Sequence, residues 1–147
     1  RFPAKWRCET LRKMSPEAEA ALDALCEQLA RATLARKVLL VAPDGGILAH
    51  VGQPGLFTAP VSSALARLVA DLLVEAQLRQ VEEFAPEEPE DHFTQVGRLR
   101  VCATPLATRA LLLVLFDDSV EAGLVRVRVR RARRLLLRVL GEQDPKC

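Results

Sequence analysis

Residues 110–116 read ALLLVLF, seven apolar side chains in a row with no polar break. A half-exposed strand alternates apolar with polar residues, and a surface helix keeps a polar stripe. A short run with neither pattern, bounded by polar residues, fits a strand covered on both faces. It is far shorter than the ~20 apolar residues a membrane-spanning helix needs. The chain must therefore provide one apolar layer above this strand and another below it.

Three helical patterns can provide those layers. The first is SPEAEAALDALCEQLARAT, where Ser15 suits the N-cap, Pro16 the first helical position, and Glu17 and Glu19 the positive end of the dipole. Ala18, Leu22, Leu25, Cys26 and Leu29 form its apolar stripe. The second is TAPVSSALARLVADLLVEAQLRQVEE, with Pro60 in the opening turn and Thr58 or Ser62 as cap. Leu65, Leu68, Val69, Leu72, Leu73 and Ala76 mark one broad face, and Arg67, Asp71, Glu75 and Arg79 lie opposite. The third lies near the C-terminal end, capped by Asp118 or Ser119, with Val125, Val129, Ala132, Leu136 and Val139 or Leu140 at helical spacing. Its VRVRVR alternation competes as a strand signal. The helical period wins because it continues through RRARRLLLRVL for ~16 residues, longer than an ordinary strand. Gly141 is expected to stop it.

The strands fall between the helices. RKVLLVA and ILAHV flank PDGG, whose glycines suit the positive φ of a tight hairpin turn, and Gly52, Pro54 and Gly55 break the second strand. Simple alternation puts Ile47, Ala49 and Val51 on one face of that strand and Leu48 and His50 on the other. HFTQV, LRVCATPL and ALLLVLF form an antiparallel meander, and Pro105 marks an exposed backbone donor position near the end of the middle strand. EEFAPEEPED, residues 82–91, is an acidic loop with two prolines. The order α-β-β-α-β-β-β-α defines an α+β fold with a five-stranded antiparallel sheet flanked by helices. One domain is expected over 15–140, with an N-terminal extension or tail at 1–14 and a C-terminal tail at 141–147.

Composition narrows the chemistry. The net charge of +2 is too small to imply a polyanion partner for the whole chain. Cys8, Cys26, Cys102 and Cys147 are scattered, form no C-x-x-C, and have no histidine at ligand spacing, so neither a metal nor a disulfide framework is expected. Reduced thiols fit a cytoplasmic protein, with Cys26 and Cys102 in the core. No G-x-x-x-x-G-K-[ST] is present, so a P-loop is excluded, and no other cofactor is expected. His50 has no nucleophile or carboxylate placed beside it by any motif and reads as a surface histidine at a strand end. No catalytic residue is expected, nor is a signal peptide or a membrane span.

Two segments carry a family resemblance. One is the hairpin LLVAPDGGILAHVG, in which Asp44-Gly45 turns the chain and Gly52 closes it. The other is ALLLVLFDDSVEAGLVRVRVRRA, an aliphatic strand ending in Phe-Asp that leads into Gly-Leu-Val and alternating arginines. In this order they resemble the roadblock/dynein light chain family, and within it the bacterial MglB-type branch, over about residues 15–140. The resemblance implies a homodimer with two sheets joined edge to edge through HFTQV and the second helices packed beside each other. It also implies a Ras-like, MglA-type small GTPase as partner, activated by rearrangement of the GTPase's own catalytic groups. On this reading Leu65, Leu68, Leu72, Phe93, Gln95 and Val96 form the dimer interface, and Arg67, Asp71 and Glu75 meet the GTPase. His92 would lie near the junction, where a pH-sensitive contact could form.

The chain departs from the family at three places: Ala42 where many relatives carry an acidic residue, the acidic 82–91 segment, and the arginine-rich last helix. Arg126, Arg128, Arg130, Arg131, Arg133, Arg134 and Arg138 surround the apolar stripe of that helix. They read first as a solvated basic surface and second as a dock for an acidic partner or for the 82–91 segment. Nucleic acid or an anionic membrane ranks below these, because stacking aromatics are absent there and the overall charge is small. The expected function is thus a non-catalytic dimer that modulates a GTPase. A scaffold without effect on GTP turnover is the alternative, and a nucleic-acid binder a more distant one.

Overall fold

The computed structural model describes residues 14–52, 59–81, 91–106 and 110–142, and for 59–62, 76–81 and 142 the backbone alone. The elements are α1 (Pro16–Thr33), β1 (Lys37–Val41), β2 (Ile47–Gly52), α2 (Ala59–Val81), β3 (His92–Val96), β4 (Leu99–Leu106), β5 (Ala110–Phe116) and α3 (Ala122–Glu142). The order is the one expected. The five strands form one sheet in the order β2-β1-β5-β4-β3, every neighbouring pair antiparallel.

β5 lies at the centre and is buried along its whole length. Its alternate side chains serve two cores. Ala110, Leu112, Val114 and Phe116 face α1 and α3, where Leu22, Cys26, Val125, Val129 and Leu136 close over them. Leu111, Leu113 and Leu115 face α2, meeting Leu65 and Leu72. The unbroken apolar run is therefore the middle layer of a three-layer α/β/α arrangement. α1 lies over β1 and β2, and α3 lies over β4.

Local chemistry sets the helix ends. Ser15 is extended (φ −72°, ψ 156°), and its Oγ accepts from the Ala18 N–H at 3.1 Å. α1 ends on Leu34, which takes the left-handed conformation (φ 54°) and is 72% exposed. Its N–H reaches back to the Ala30 and Arg31 carbonyls, doing without a side chain what glycine usually does more cheaply. α3 does not stop at Gly141. The helix runs on to Glu142, because a glycine in helical geometry weakens a helix without ending it.

The hairpin differs in one respect from simple alternation. Leu40 pairs with Ala49 but Val41 pairs with Ile47, so Leu48 is an extra residue in a β-bulge. Ile47 thereby lies opposite Val41 and His50 opposite Leu39, both on the α2 side of the sheet, while Leu48 packs into the α1/α3 core. The expected grouping of Ile47 with Ala49 and Val51 is corrected accordingly. Pro105 is buried rather than exposed, but β3 pairing stops at Ala103, so no ladder needs a donor from Pro105 on that side.

Residues 1–13, 53–58 with Thr58 among them, 107–109 and 143–147, and the acidic segment up to residue 90, lie outside the described residues. So do the side chains of Pro60, Ser62, Ala76 and Arg79.

Candidate functional site

β3 ends the sheet, and among the described residues no strand pairs with its outer edge. Its side chains are already used inward. Val96 is buried on the α2 side with Leu99 and Val101. Phe93 turns to the other face, where its ring meets Phe116 edge-on at 6.4 Å and 81°. The Arg126 guanidinium lies 5.1 Å above the Phe93 ring, within cation–π range. Gln95 is exposed, and its amide donates to the Gly97 carbonyl at 3.1 Å. What the edge leaves open is its row of backbone donors and acceptors, the usual template for strand addition.

α2 has an unusual balance. Leu65 and Leu72 are each 6% exposed and packed on the sheet of their own chain, with Leu68, Val69 and Leu73 half-buried beside them. This packing on the chain's own sheet accounts for the apolar stripe. The outward face carries two ridges at i, i+4 spacing. One is charged: Arg67, Asp71 and Glu75. The other is small and apolar, Ala66, Ala70 and Val74, the last of them 56% exposed. The sequence signal for this ridge was present in the alanine spacing but was hidden by the stronger leucine stripe.

α3 is polarised in the opposite sense. Its stripe of Val125, Val129, Ala132, Leu136 and Leu140 is buried, as its spacing predicts, with Leu140 rather than Val139 completing it. Arg126, Arg128, Arg130, Arg131, Arg134 and Arg138 are exposed and Arg133 is half-buried, its Nε donating to the Pro105 carbonyl at 3.4 Å. Among the described residues no α3 arginine is ion-paired.

The titratable groups inside the fold are poor reactants. Burial pushes the thiols of Cys26 and Cys102 up to about 12, with Asp23 adding to the first and Asp91 to the second. Thiols held so far above neutrality stay protonated and unreactive. His50 and His92 are exposed.

Asp117 follows β5 and is held down to about 2, below its ordinary 3.8, by hydrogen bonds from the Ser119 hydroxyl and N–H, then by the Arg36 guanidinium. Arg36 approaches it at 2.7 Å and ties the start of β1 to the end of β5. A carboxyl whose folded pKa is depressed contributes stability above about 3.8 and loses it as pH falls toward 2. Unfolding followed by circular dichroism between pH 5 and pH 2 should show a shallower loss in Asp117→Asn than in the parent chain. Equal slopes would remove Asp117 from that role.

No family model matches the chain, and no curated protein sequence does. Solved structures do. A roadblock/LC7 domain from Streptomyces avermitilis matches with a TM-score of 0.60 at 12% identity, covering 81% of this chain and 97% of that one. The three-layer arrangement is accordingly the roadblock fold. Within that class the likeness is to MglB. Myxococcus xanthus MglB matches with a TM-score of 0.69 at 27% identity over 90% of this chain and 97% of that one. An MglB structure described as having a tetrameric arrangement matches at 0.65 and 26%, over 98% of this chain and 96% of that one. The chain has a roadblock fold of the MglB type. No helix among the described residues is long and apolar enough to cross a membrane.

Proposed function

We propose that this chain is a homodimeric roadblock protein that binds a Ras-like, MglA-type small GTPase and raises its rate of GTP hydrolysis. The observation that carries this reading is the outer face of α2, where a charged ridge of Arg67, Asp71 and Glu75 runs beside an apolar ridge of Ala66, Ala70 and Val74. Small side chains allow two helices to approach closely, so the apolar ridge suits α2 of a second copy. It takes the part that the family resemblance assigns to Leu65 and Leu72, whose side chains are spent on their own sheet. The open β3 edge supports the same two-fold association, since antiparallel addition of an identical strand is an isologous contact.

The likeness to an MglB structure with a tetrameric arrangement supports self-association, and the GTPase partner is what the family resemblance of the sequence implies. In the dimer, two charged α2 ridges form one composite surface for the GTPase switch segments. Binding them in their hydrolytic arrangement accelerates the reaction by population shift, with water, nucleotide and catalytic groups all belonging to the GTPase. Light scattering of the purified chain should give twice the mass of one chain. Reversing the ridge with Arg67→Glu and Glu75→Arg should leave that mass unchanged and abolish the effect on GTP turnover. A complex that forms without altering turnover would make the protein a scaffold instead.

A further inference from the structure

From Ala122 to Gly141, α3 carries seven arginines and no carboxylate. α1 packs beside it on the same face of the sheet and has the opposite balance. Glu17, Glu19, Asp23 and Glu27 are exposed there, against one cation, Arg31, which is bound to Glu27 at 2.6 Å. Among the described residues no ion pair joins the two helices, and Glu17, Glu19, Asp23 and the α3 arginines have no ion-pair partner. One face of the molecule thus holds an acidic strip and a basic strip side by side.

The two helices run antiparallel. α1 leads into β1 at Lys37, and β5 leaves for α3 beyond Phe116; Lys37 pairs with Leu115, so both junctions lie at one end of the sheet. Glu17, Glu19 and Asp23, in the first half of α1, therefore stand level with the second half of α3. Arg134 and Arg138, one turn apart and exposed, form the outward crest there. Arg31, in the last turn of α1, stands level with the opening turns of α3. The crest is apolar at that end, with Leu124 38% and Val127 64% exposed.

We propose that this face binds the same face of a second copy, with α1 of each lying on α3 of the other. Two such faces meet about a two-fold axis lying between them, either across the helices or along them. An axis across the helices sets α1 on α1 and α3 on α3, like charge on like. An axis along them, midway between α1 and α3, sets α1 on α3 twice and keeps every residue at its own height. Glu17 and Asp23 of each copy then meet Arg134 and Arg138 of the other, while Arg31 meets Leu124 and Val127 rather than a cation. Ala20 and Ala24, one turn apart and exposed on α1, let the helices close and let arginine stems lie along them. A crossing of about 20° is among the preferred helix packings and holds the strips together over several turns. A nucleic-acid duplex or an anionic membrane laid on the arginines meets the α1 carboxylates as well and is repelled. A surface carrying both signs in two-fold related places matches, and this face is one. The pairing goes beyond the function proposed above, because it uses neither β3 nor α2 and leaves both free.

Exposed ion pairs are individually weak, so the contact depends on concentration and fades as salt is raised. Analytical ultracentrifugation of the full chain tests it. At about 0.01 M salt, where charges act over about 30 Å, the average mass should rise with protein concentration. At about 1 M, where they act over about 3 Å, it should fall to a constant value. That salt-resistant mass, one chain or two, reports the α2 and β3 contacts separately. Glu17→Arg/Asp23→Arg and Arg134→Glu/Arg138→Glu should each weaken the low-salt association about tenfold or more, with circular dichroism checked for both. Mixed in equal amounts, the two variants should associate again, because one then has two basic strips and the other two acidic ones. A mass that ignores salt and concentration, variants that associate as the parent chain does, or a mixture that stays apart would each overturn the pairing. Duplex DNA that binds the chain more tightly than the chain binds itself would overturn it too, by assigning the arginines to a polyanion.

Discussion

Phe116→Ala should cost about 3–5 kcal/mol, a large part of the ~5–15 kcal/mol that holds a typical domain together. Phe116 is fully buried at the end of β5, inside the core that joins both α1 and α3 to the sheet. Its ring also supports Phe93, and Phe93 in turn seats the Arg126 guanidinium. The lost side chain therefore leaves a cavity between three elements that cannot all move in to fill it. Urea unfolding followed by circular dichroism should show the midpoint falling with little change in slope. A loss below about 1 kcal/mol would mean that the site collapses freely and that Phe116 is no keystone.

Gly52→Ala should be nearly as damaging, by about 3 kcal/mol, for a different reason. Gly52 pairs with Lys37 at the open end of the hairpin, with φ at +135°, a conformation L side chains rarely adopt. A Cβ there would meet the Arg36 carbonyl oxygen at 2.3 Å and Lys37 Cα at 2.7 Å, both backbone atoms that cannot rotate away. Arg36 cannot retreat cheaply, since its N–H donates to the Leu115 carbonyl at 2.7 Å. Gly141 is the control: among the described residues nothing lies within 4 Å of the point where an alanine methyl would stand, so Gly141→Ala near the end of α3 should stabilise it by up to about 0.5 kcal/mol. Thermal melts of the two variants should move in opposite directions, and a neutral Gly52→Ala would contradict the close approach.

The parts of the fold that were legible in the sequence are those where one period dominates a whole segment. ALLLVLF, short and bounded by polar residues, read as a doubly covered strand, and RRARRLLLRVL carried the helical period past the misleading VRVRVR. The β2 bulge was not legible, because PDGG closes a hairpin equally well with or without an extra residue at Leu48. Nor was Leu34 as a left-handed cap, since leucine has no preference for that conformation and backbone bonds hold it there, its own N–H to Ala30 and Arg31 and that of Ala35 to the Ala30 carbonyl. The candidate interaction surface was partly legible. Arg67, Asp71 and Glu75 are exposed as their spacing implies, yet a leucine stripe on a helix does not say whether it meets its own sheet or a partner. Leu65 and Leu72 pack on the chain's own sheet, and the residues left exposed behind them are Ala66, Ala70 and Val74. Phe93 reads from sequence as an edge residue, but the Phe116 ring draws it inward.

The central claim is that this chain acts on a GTPase through its α2 face. Single-turnover GTP hydrolysis by a purified MglA-type GTPase, with and without a stoichiometric amount of this protein, tests it most directly. The expected result is a rate raised about tenfold or more, lost in the Arg67→Glu/Glu75→Arg variant and retained in Arg134→Glu/Arg138→Glu. An unchanged rate with saturating protein, or an acceleration that survives reversal of the α2 ridge, would contradict it.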